Sequence, residues 1–118
     1  MIDLNNAAKQ ARNNAIERQK NGARINADTY PMLKHCATEV VEAMNAYDFM
    51  KFNKNIRYTL KVDDETLQED LEHFSSELAD IVCCVLIIAA SEKIDVEKAI
   101  ENCLEKNRRR AEGTGDKK

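Results

Sequence analysis

The sequence predicts an all-α fold, a bundle of four helices in a single domain over residues 1–118 with a core at about 3–112. Gly and Pro together account for four of the 118 residues, and this scarcity of turn formers favours long helices. The stretch Ser75–Ala90, SSELADIVCCVLIIAA, contains neither residue type, so its apolar run is interpreted as a helix. A chain of this length can bury one modest core, and we expect residues 113–118 to form a flexible tail.

Helices 1 and 2 have recognisable ends. Helix 1 is predicted over about Asp3–Lys20, because the Asn-Gly pair that follows is a good C-terminal stop. Small side chains at Ala8, Ala11 and Ala15 give it a face for close packing. Helix 2 is predicted to begin near Asp28 or Thr29, either of which can cap it, and to end near Tyr47.

The second half of the chain is predicted to hold a loop and two more helices. Asp48–Val62 shows no clear period, and its aromatic and cationic side chains suit either a cover for an anionic ligand or ordinary packing with solvated charge. Helix 3 is predicted to begin at Asp63 or Asp64, and helix 4 to begin at the cap Asp95 and end before Gly113. One face of helix 4 is expected to point inward, namely Val96, Ala99, Ile100, Cys103 and Leu104.

Helix 3 is apolar on almost every side over Ile81–Ala90. A helix of this kind is usually covered all round, and three or four helices of one short chain can hardly do so. We therefore expect a homo-oligomer, a symmetric dimer or a dimer of dimers, with helix 3 in its interface. The ten-residue apolar run is too short to cross a bilayer, so no membrane is expected.

Charge and cysteine content limit the partners and the compartment. A formal charge of −3 gives no general affinity for nucleic acid. The four cysteines form no Cys-x-x-Cys pair, which argues against a thiolate zinc site. Reduced, buried thiols in a cytoplasmic protein are the interpretation we adopt, and the polar N-terminus does not resemble a signal peptide.

Two pairs of carboxylates, each three residues apart, are the strongest chemical signal. Glu77 and Asp80 precede the apolar run, and Glu39 and Glu42 lie in helix 2. Residues three apart share a helical face, so two facing helices would build a cage of four carboxylates that suits Mg²⁺ or Mn²⁺. A solvated helix face is the plainer explanation for a single pair. For His35, four residues before Glu39, four interpretations stay open: a ligand, a partner of a ligand, a surface histidine or a satisfied core histidine.

Three blocks resemble the MazG-type all-α nucleoside triphosphate pyrophosphatases: Glu39-x-x-Glu42, Glu77-Leu-Ala-Asp80-Ile and Lys106-Asn107-Arg108-Arg109. The resemblance implies a MazG-like helical bundle that acts as a dimer or tetramer. It also implies hydrolysis of a nucleoside triphosphate between the α and β phosphates, giving the monophosphate and pyrophosphate.

The resemblance further implies which residues hold the metal and which contact the nucleotide. Mg²⁺ would be held by the four carboxylates, Glu39, Glu42, Glu77 and Asp80. The nucleotide would contact Lys106 and Asn107. By their charge, Lys106 and Arg109 are also the candidates for neutralising the departing pyrophosphate. The proton of the attacking water would pass to a carboxylate, with Glu39 and Glu42 as the candidate bases.

Two other classes of function stay open at this point. A di-iron or di-manganese carboxylate bundle typically needs Glu-x-x-His pairs, and this sequence has none. A non-catalytic nucleotide-binding or helical oligomerisation module is the other alternative. The sequence does not specify the preferred base or sugar.

Overall fold

The computed structural model describes residues 2–60 and 62–113, without the side chains of residues 57–60. Within that part of the chain there are four α-helices and no strand, which confirms the all-α prediction. They are α1 (Leu4–Lys20), α2 (Thr29–Leu60), α3 (Asp64–Ser91) and α4 (Val96–Ala111). Residues 114–118 of the predicted flexible tail lie outside the described residues.

The chain divides into two compact units. One comprises Met1–Ala27 and Leu86–Lys118, and the other comprises Asp28–Val85. We name them the terminal unit and the central unit. The helix α3 belongs to the central unit up to Val85 and to the terminal unit from Leu86.

The predicted loop over Asp48–Val62 is wrong, because α2 continues without interruption to Leu60. No Gly or Pro interrupts this segment, so nothing local stops the helix. A polar residue takes a core position of α2 where an apolar one would be expected. Asn53 is buried there, and its Nδ2 donates to Oδ2 of Asp70 at 2.9 Å. A buried amide in place of an aliphatic side chain hides the helical period from a pattern based on hydrophobicity.

In the central unit, α2 and α3 form an antiparallel pair. Asn53 meets Asp70, and further along the ring centroids of Tyr47 and Phe74 lie 5.4 Å apart. Positions on α2 therefore decrease while their partners on α3 increase, as in a helical hairpin. Of the two predicted caps for α3, Asp63 acts, since its Oδ1 accepts from the backbone N–H of Thr66 at 2.8 Å. That hydrogen bond also lowers the pKa of Asp63.

The terminal unit packs the small-residue face of α1 against α4 and the end of α3. Ala8 and Ala15 are buried as predicted, and Ala8 forms a core with Leu86, Ala89 and Val96. Small side chains let helices approach closely, and the contacts they make are dispersive and numerous. Close packing in this unit therefore depends on alanine in α1.

Asn5 joins the start of α1 to the start of α4 in the same unit. Its Oδ1 accepts from the backbone N–H of Val96 at 2.8 Å, and its Nδ2 donates to Oδ1 of Asp95 at 3.0 Å. Asp95 is the predicted cap, and its Oδ1 also accepts from the backbone N–H of Lys98. Asn5 therefore satisfies one of the N–H groups that a helix leaves without an internal partner at its first turn.

We expect Asn5→Ala to lower the melting temperature by about 4–8 °C, because the first turn of α4 loses an acceptor and Asp95 loses a donor. Differential scanning calorimetry measures this. Asn6→Ala is the matched control, since Asn6 is the next residue of α1 and is exposed. Both changes raise helix propensity equally, so an equal melting temperature for the two variants would contradict the proposed role of Asn5.

Large apolar side chains remain exposed in both units. On α3 of the central unit, Leu78, Val82 and Val85 are 45–53% exposed. The prediction that one face of α4 points inward holds for Val96 alone, since Ile100 and Leu104 are 40% and 64% exposed. The helix α4 contributes its first turn to the core of the terminal unit, and its later turns carry their apolar face outward.

The helix α3 is also, by length and composition, apolar enough to cross a membrane. Only 22% of its apolar stretch is buried. Core helices of soluble proteins meet the same criterion, so the absence of a membrane role stays a prediction.

Candidate functional site

Three carboxylates converge in the central unit. One side-chain oxygen from each of Glu39, Glu42 and Glu77 lies within 4.8 Å of the other two. Glu39 and Glu42 share one face of α2, and the antiparallel course of α3 places Glu77 opposite them. Asp80 is exposed and is not a member of this group of three. The structure thus brings together three of the four predicted ligands, and their binding of metal stays a prediction.

Two oxygens of this cluster are buried without a partner. Glu39 is only 9% exposed, and neither Oε2 of Glu39 nor Oε2 of Glu77 receives a hydrogen bond. Burying a carboxylate oxygen without a partner is costly. A hard divalent cation with oxygen ligands, Mg²⁺ or Mn²⁺, fits this donor set. These unpartnered oxygens, more than the number of acids, make the cluster a candidate metal centre.

The pKa of Glu39 is raised above its ordinary value. Burial is the largest cause, followed by the charge of Glu42 and a hydrogen bond with it, and Asp80 adds a smaller repulsion. The charge of His35 opposes the rise. Because desolvation and like charges both disfavour the ionised form, a bound cation would be the group that restores the carboxylate to its charged state.

A histidine contacts the first carboxylate of each pair, Glu39 on α2 and Glu77 on α3. Nε2 of His35 lies 3.1 Å from Oε1 of Glu39, and Nε2 of His73 lies 3.7 Å from Oε1 of Glu77. The sequence left the role of His35 undecided. In the structure its half-exposed side chain contacts Glu39, a predicted metal ligand. His73 is not among the predicted site residues, although the same four-residue spacing signals it.

A cavity of about 510 Å³ adjoins the cluster. Glu42 and Glu77 belong to its wall, together with Asn45, Phe49, Asp70 and His73. None of the last four is among the predicted site residues, because no sequence motif distinguishes them. Only the antiparallel pairing of α2 and α3 places them beside the carboxylates.

The predicted nucleotide contacts lie on α4, in the terminal unit. Lys106, Asn107 and Arg109 are all exposed, and Nε of Arg109 is 3.5 Å from Oε1 of Glu105. Arg108 pairs closely with Glu105 and Glu112, at 2.7 and 2.6 Å. Those ion pairs on the helix surface account for Arg108, and the binding roles of the other three stay predictions.

The cysteines are free, but they are not uniformly buried. Cys84 is buried and Cys36 partly so, whereas Cys83 and Cys103 are exposed, so the prediction of buried thiols is wrong for the last two. Burial is the main cause that raises the pKa of Cys84 to about 11. A thiol with such a pKa stays protonated near neutral pH and is a poor nucleophile.

Most of the chain matches a known protein family. Residues 26–114 match the model of the MazG nucleotide pyrophosphohydrolase domain. The match covers about three quarters of the 118 residues, and it includes the four predicted carboxylates and the α4 block. No match was found among curated proteins or among solved structures. Because the family match extends over most of the chain, this protein belongs to the MazG nucleotide pyrophosphohydrolase family.

Proposed function

We propose that this protein hydrolyses a nucleoside or deoxynucleoside triphosphate between the α and β phosphates, releasing the monophosphate and pyrophosphate. The observation that carries the proposal is the pair of buried, unpartnered oxygens on Glu39 and Glu77, in a domain whose family acts on nucleotides. Phosphoryl transfer depends on charge neutralisation and positioning more than on a strong nucleophile. A cage of acidic oxygens is suited to that task once it holds a cation.

The cation we propose is Mg²⁺, with Mn²⁺ as the alternative. MazG domains generally depend on a divalent metal, and the acidic cluster supplies oxygen donors. Glu39, Glu42 and Glu77 would hold the ion, and Asp80, exposed one turn further along α3, would complete the set. When bound, such an ion neutralises triphosphate oxygens and makes a water more acidic.

Among the carboxylates, Glu42 is the better candidate for accepting the proton of the attacking water. Glu42 is exposed and lines the cavity, whereas Glu39 is buried and does not. In the proposed reaction the water oxygen bonds to phosphorus, the phosphorus–oxygen bond between the α and β phosphates breaks, and Glu42 takes the proton. Glu39 then serves chiefly as a ligand.

The substrate would be recognised through its phosphates by cations of α4. Lys106 and Arg109 can neutralise phosphate oxygens, and Asn107 can both donate and accept hydrogen bonds. The roles of Lys106 and Asn107 follow from the family resemblance, and the role of Arg109 follows from its charge.

We also propose that the protein is a homo-oligomer. An apolar surface in the central unit consists of Val40, Met44 and Tyr47 of α2 with Leu78, Val82 and Val85 of α3. Each of these residues is at least 41% exposed. Four of them line a groove of about 390 Å³, namely Val40, Met44, Tyr47 and Leu78. Exposed apolar surfaces of this extent commonly mark interfaces, and a second copy of the chain would cover this one.

A turnover screen tests the proposed function. The purified protein is incubated with Mg²⁺ and each common NTP and dNTP, including dUTP, and the products are separated by chromatography. We expect monophosphate and pyrophosphate from a subset of substrates, which also identifies the preferred base. Diphosphate with orthophosphate would contradict the proposed cleavage position. Nucleotide binding without turnover would favour the non-catalytic module, and tightly bound iron would favour a di-iron bundle.

Lys106→Ala is expected to raise KM about tenfold, because a charge-assisted contact to phosphate is lost. The circular dichroism of the helices should not change, since Lys106 is exposed. Lys98→Ala is the matched control, an exposed lysine of α4 outside the block that resembles the family. Unchanged KM and kcat for Lys106→Ala would remove this residue from the site.

A further inference from the structure

The only two histidines of the sequence occupy equivalent positions. His35 precedes Glu39 by four residues on α2, and His73 precedes Glu77 by four residues on α3. Each histidine therefore lies one helical turn before the first carboxylate of a pair. In both cases Nε2 faces Oε1 of the glutamate, at 3.1 Å for His35 and 3.7 Å for His73.

The same two glutamates carry the unpartnered oxygens. In Glu39 and in Glu77, Oε1 faces the histidine, while Oε2 is buried without a hydrogen bond. The histidine side chains are 45% and 63% exposed, whereas the glutamate side chains are 11% and 15% exposed. Each histidine thus approaches its glutamate from the solvent side and leaves the other oxygen facing inward.

We propose that His35 and His73 are positioning residues for the divalent cation of the acidic cluster. Each histidine restrains one oxygen of its glutamate, so that the second oxygen is held ready as a ligand before the ion arrives. The inference rests on the cation of the proposed function. Groups that orient metal ligands from outside the coordination sphere commonly change metal affinity by 10–100-fold when they are removed.

The two histidines differ in how closely they are engaged. The distance between Nε2 of His35 and Oε1 of Glu39, 3.1 Å, is as short as that of a hydrogen bond, whereas the 3.7 Å between the same atoms of His73 and Glu77 is longer than a hydrogen bond. The closer contact restrains its carboxylate more than the looser one does. The larger effect should therefore come from His35.

Mn²⁺ binding tests the proposal without relying on turnover. The free Mn²⁺ signal in electron paramagnetic resonance gives the Kd of the wild type and of each variant. We expect His35→Leu to raise Kd about tenfold and His73→Leu to raise it less. His35→Gln should restore most of the affinity, because a glutamine amide can donate to a glutamate four residues later. Circular dichroism checks that each variant remains helical.

Gln68→Leu is the matched control. Nε2 of Gln68 donates to Oε1 of Glu72 at 3.3 Å, also four residues apart on α3 and exposed, so this variant loses the same kind of contact outside the cluster. Its Kd for Mn²⁺ should equal that of the wild type. An equal loss of affinity in Gln68→Leu and His35→Leu would show a general loosening of the helices and would overturn the proposal.

The remaining outcomes separate this inference from the proposed function. Wild-type affinity in His35→Leu, in a protein whose wild type binds Mn²⁺ and hydrolyses nucleotides, overturns the positioning role alone. The expected pattern of affinities in a protein that hydrolyses no nucleotide supports the positioning role and overturns the proposed function. A wild type that binds no Mn²⁺ overturns the positioning role and the proposed metal centre, and the turnover screen then decides the proposed function by itself.

Discussion

Glu39→Gln is expected to reduce turnover about a thousandfold, equivalent to roughly 4 kcal/mol of activation free energy. Glu39 is the most buried member of the acidic cluster, and its Oε2 has no other partner. An amide is nearly the same size as the carboxylate, so the helices should persist while the charge that attracts the cation is lost. A coupled assay for pyrophosphate release measures the effect, with circular dichroism as the check on folding.

The control for this variant is Glu72→Gln, which removes the same charge from an exposed position of α3 outside the cluster. It should keep wild-type turnover. Wild-type turnover in Glu39→Gln would mean that the acidic cluster is not the catalytic metal centre. Asp80→Asn, on the exposed fourth carboxylate, tests whether the ion uses more than the three converging glutamates.

Glu39→Gln should also stabilise the metal-free protein at neutral pH. Because the pKa of Glu39 is raised above its ordinary value of 4.5 in the folded state, the folded state binds this proton more tightly than the unfolded state does. The contribution of Glu39 to stability is therefore fully present below about pH 4.5 and is lost as pH rises through the raised pKa. Glu39→Gln removes this dependence, so in EDTA its melting temperature at pH 7 should exceed that of the wild type. Mg²⁺ should reverse the order by stabilising the wild type alone.

Val82→Arg is expected to convert the proposed homo-oligomer to a 13.4 kDa monomer, the second large effect. Val82 is 53% exposed within the apolar surface of the central unit. An arginine there would have to be buried without a partner at the interface between two copies, which is strongly unfavourable. Size-exclusion chromatography with light scattering gives the mass.

Gln68→Arg is the control for this change, because Gln68 is exposed on the same helix and outside the apolar surface. It should leave the oligomer intact. An oligomer that survives Val82→Arg would place the interface elsewhere, and a monomeric wild type at micromolar concentration would contradict self-association altogether.

The start of α3 and the ends of α1 and α4, like the start of α4, could be predicted from the sequence because each depends on residues within one turn. Asp63 and Asp95 cap α3 and α4 through bonds to N–H groups three residues later. Gly22 and Gly113 follow α1 and α4 with φ of +91° and +76°, a region that glycine enters without strain. Local chemistry of this kind needs no knowledge of the rest of the fold.

The tertiary structure alone decided where α2 ends and which acids meet. Asn53 has no apolar character to mark it as a core residue, and its burial depends on Asp70, seventeen positions away on another helix. The spacing of the two carboxylate pairs predicts two acidic faces, but not that Glu39, Glu42 and Glu77 converge while Asp80 remains exposed. Residue types and spacing specify the faces of helices, whereas the register between two helices depends on the packing of their whole length, and that register assembles this candidate site.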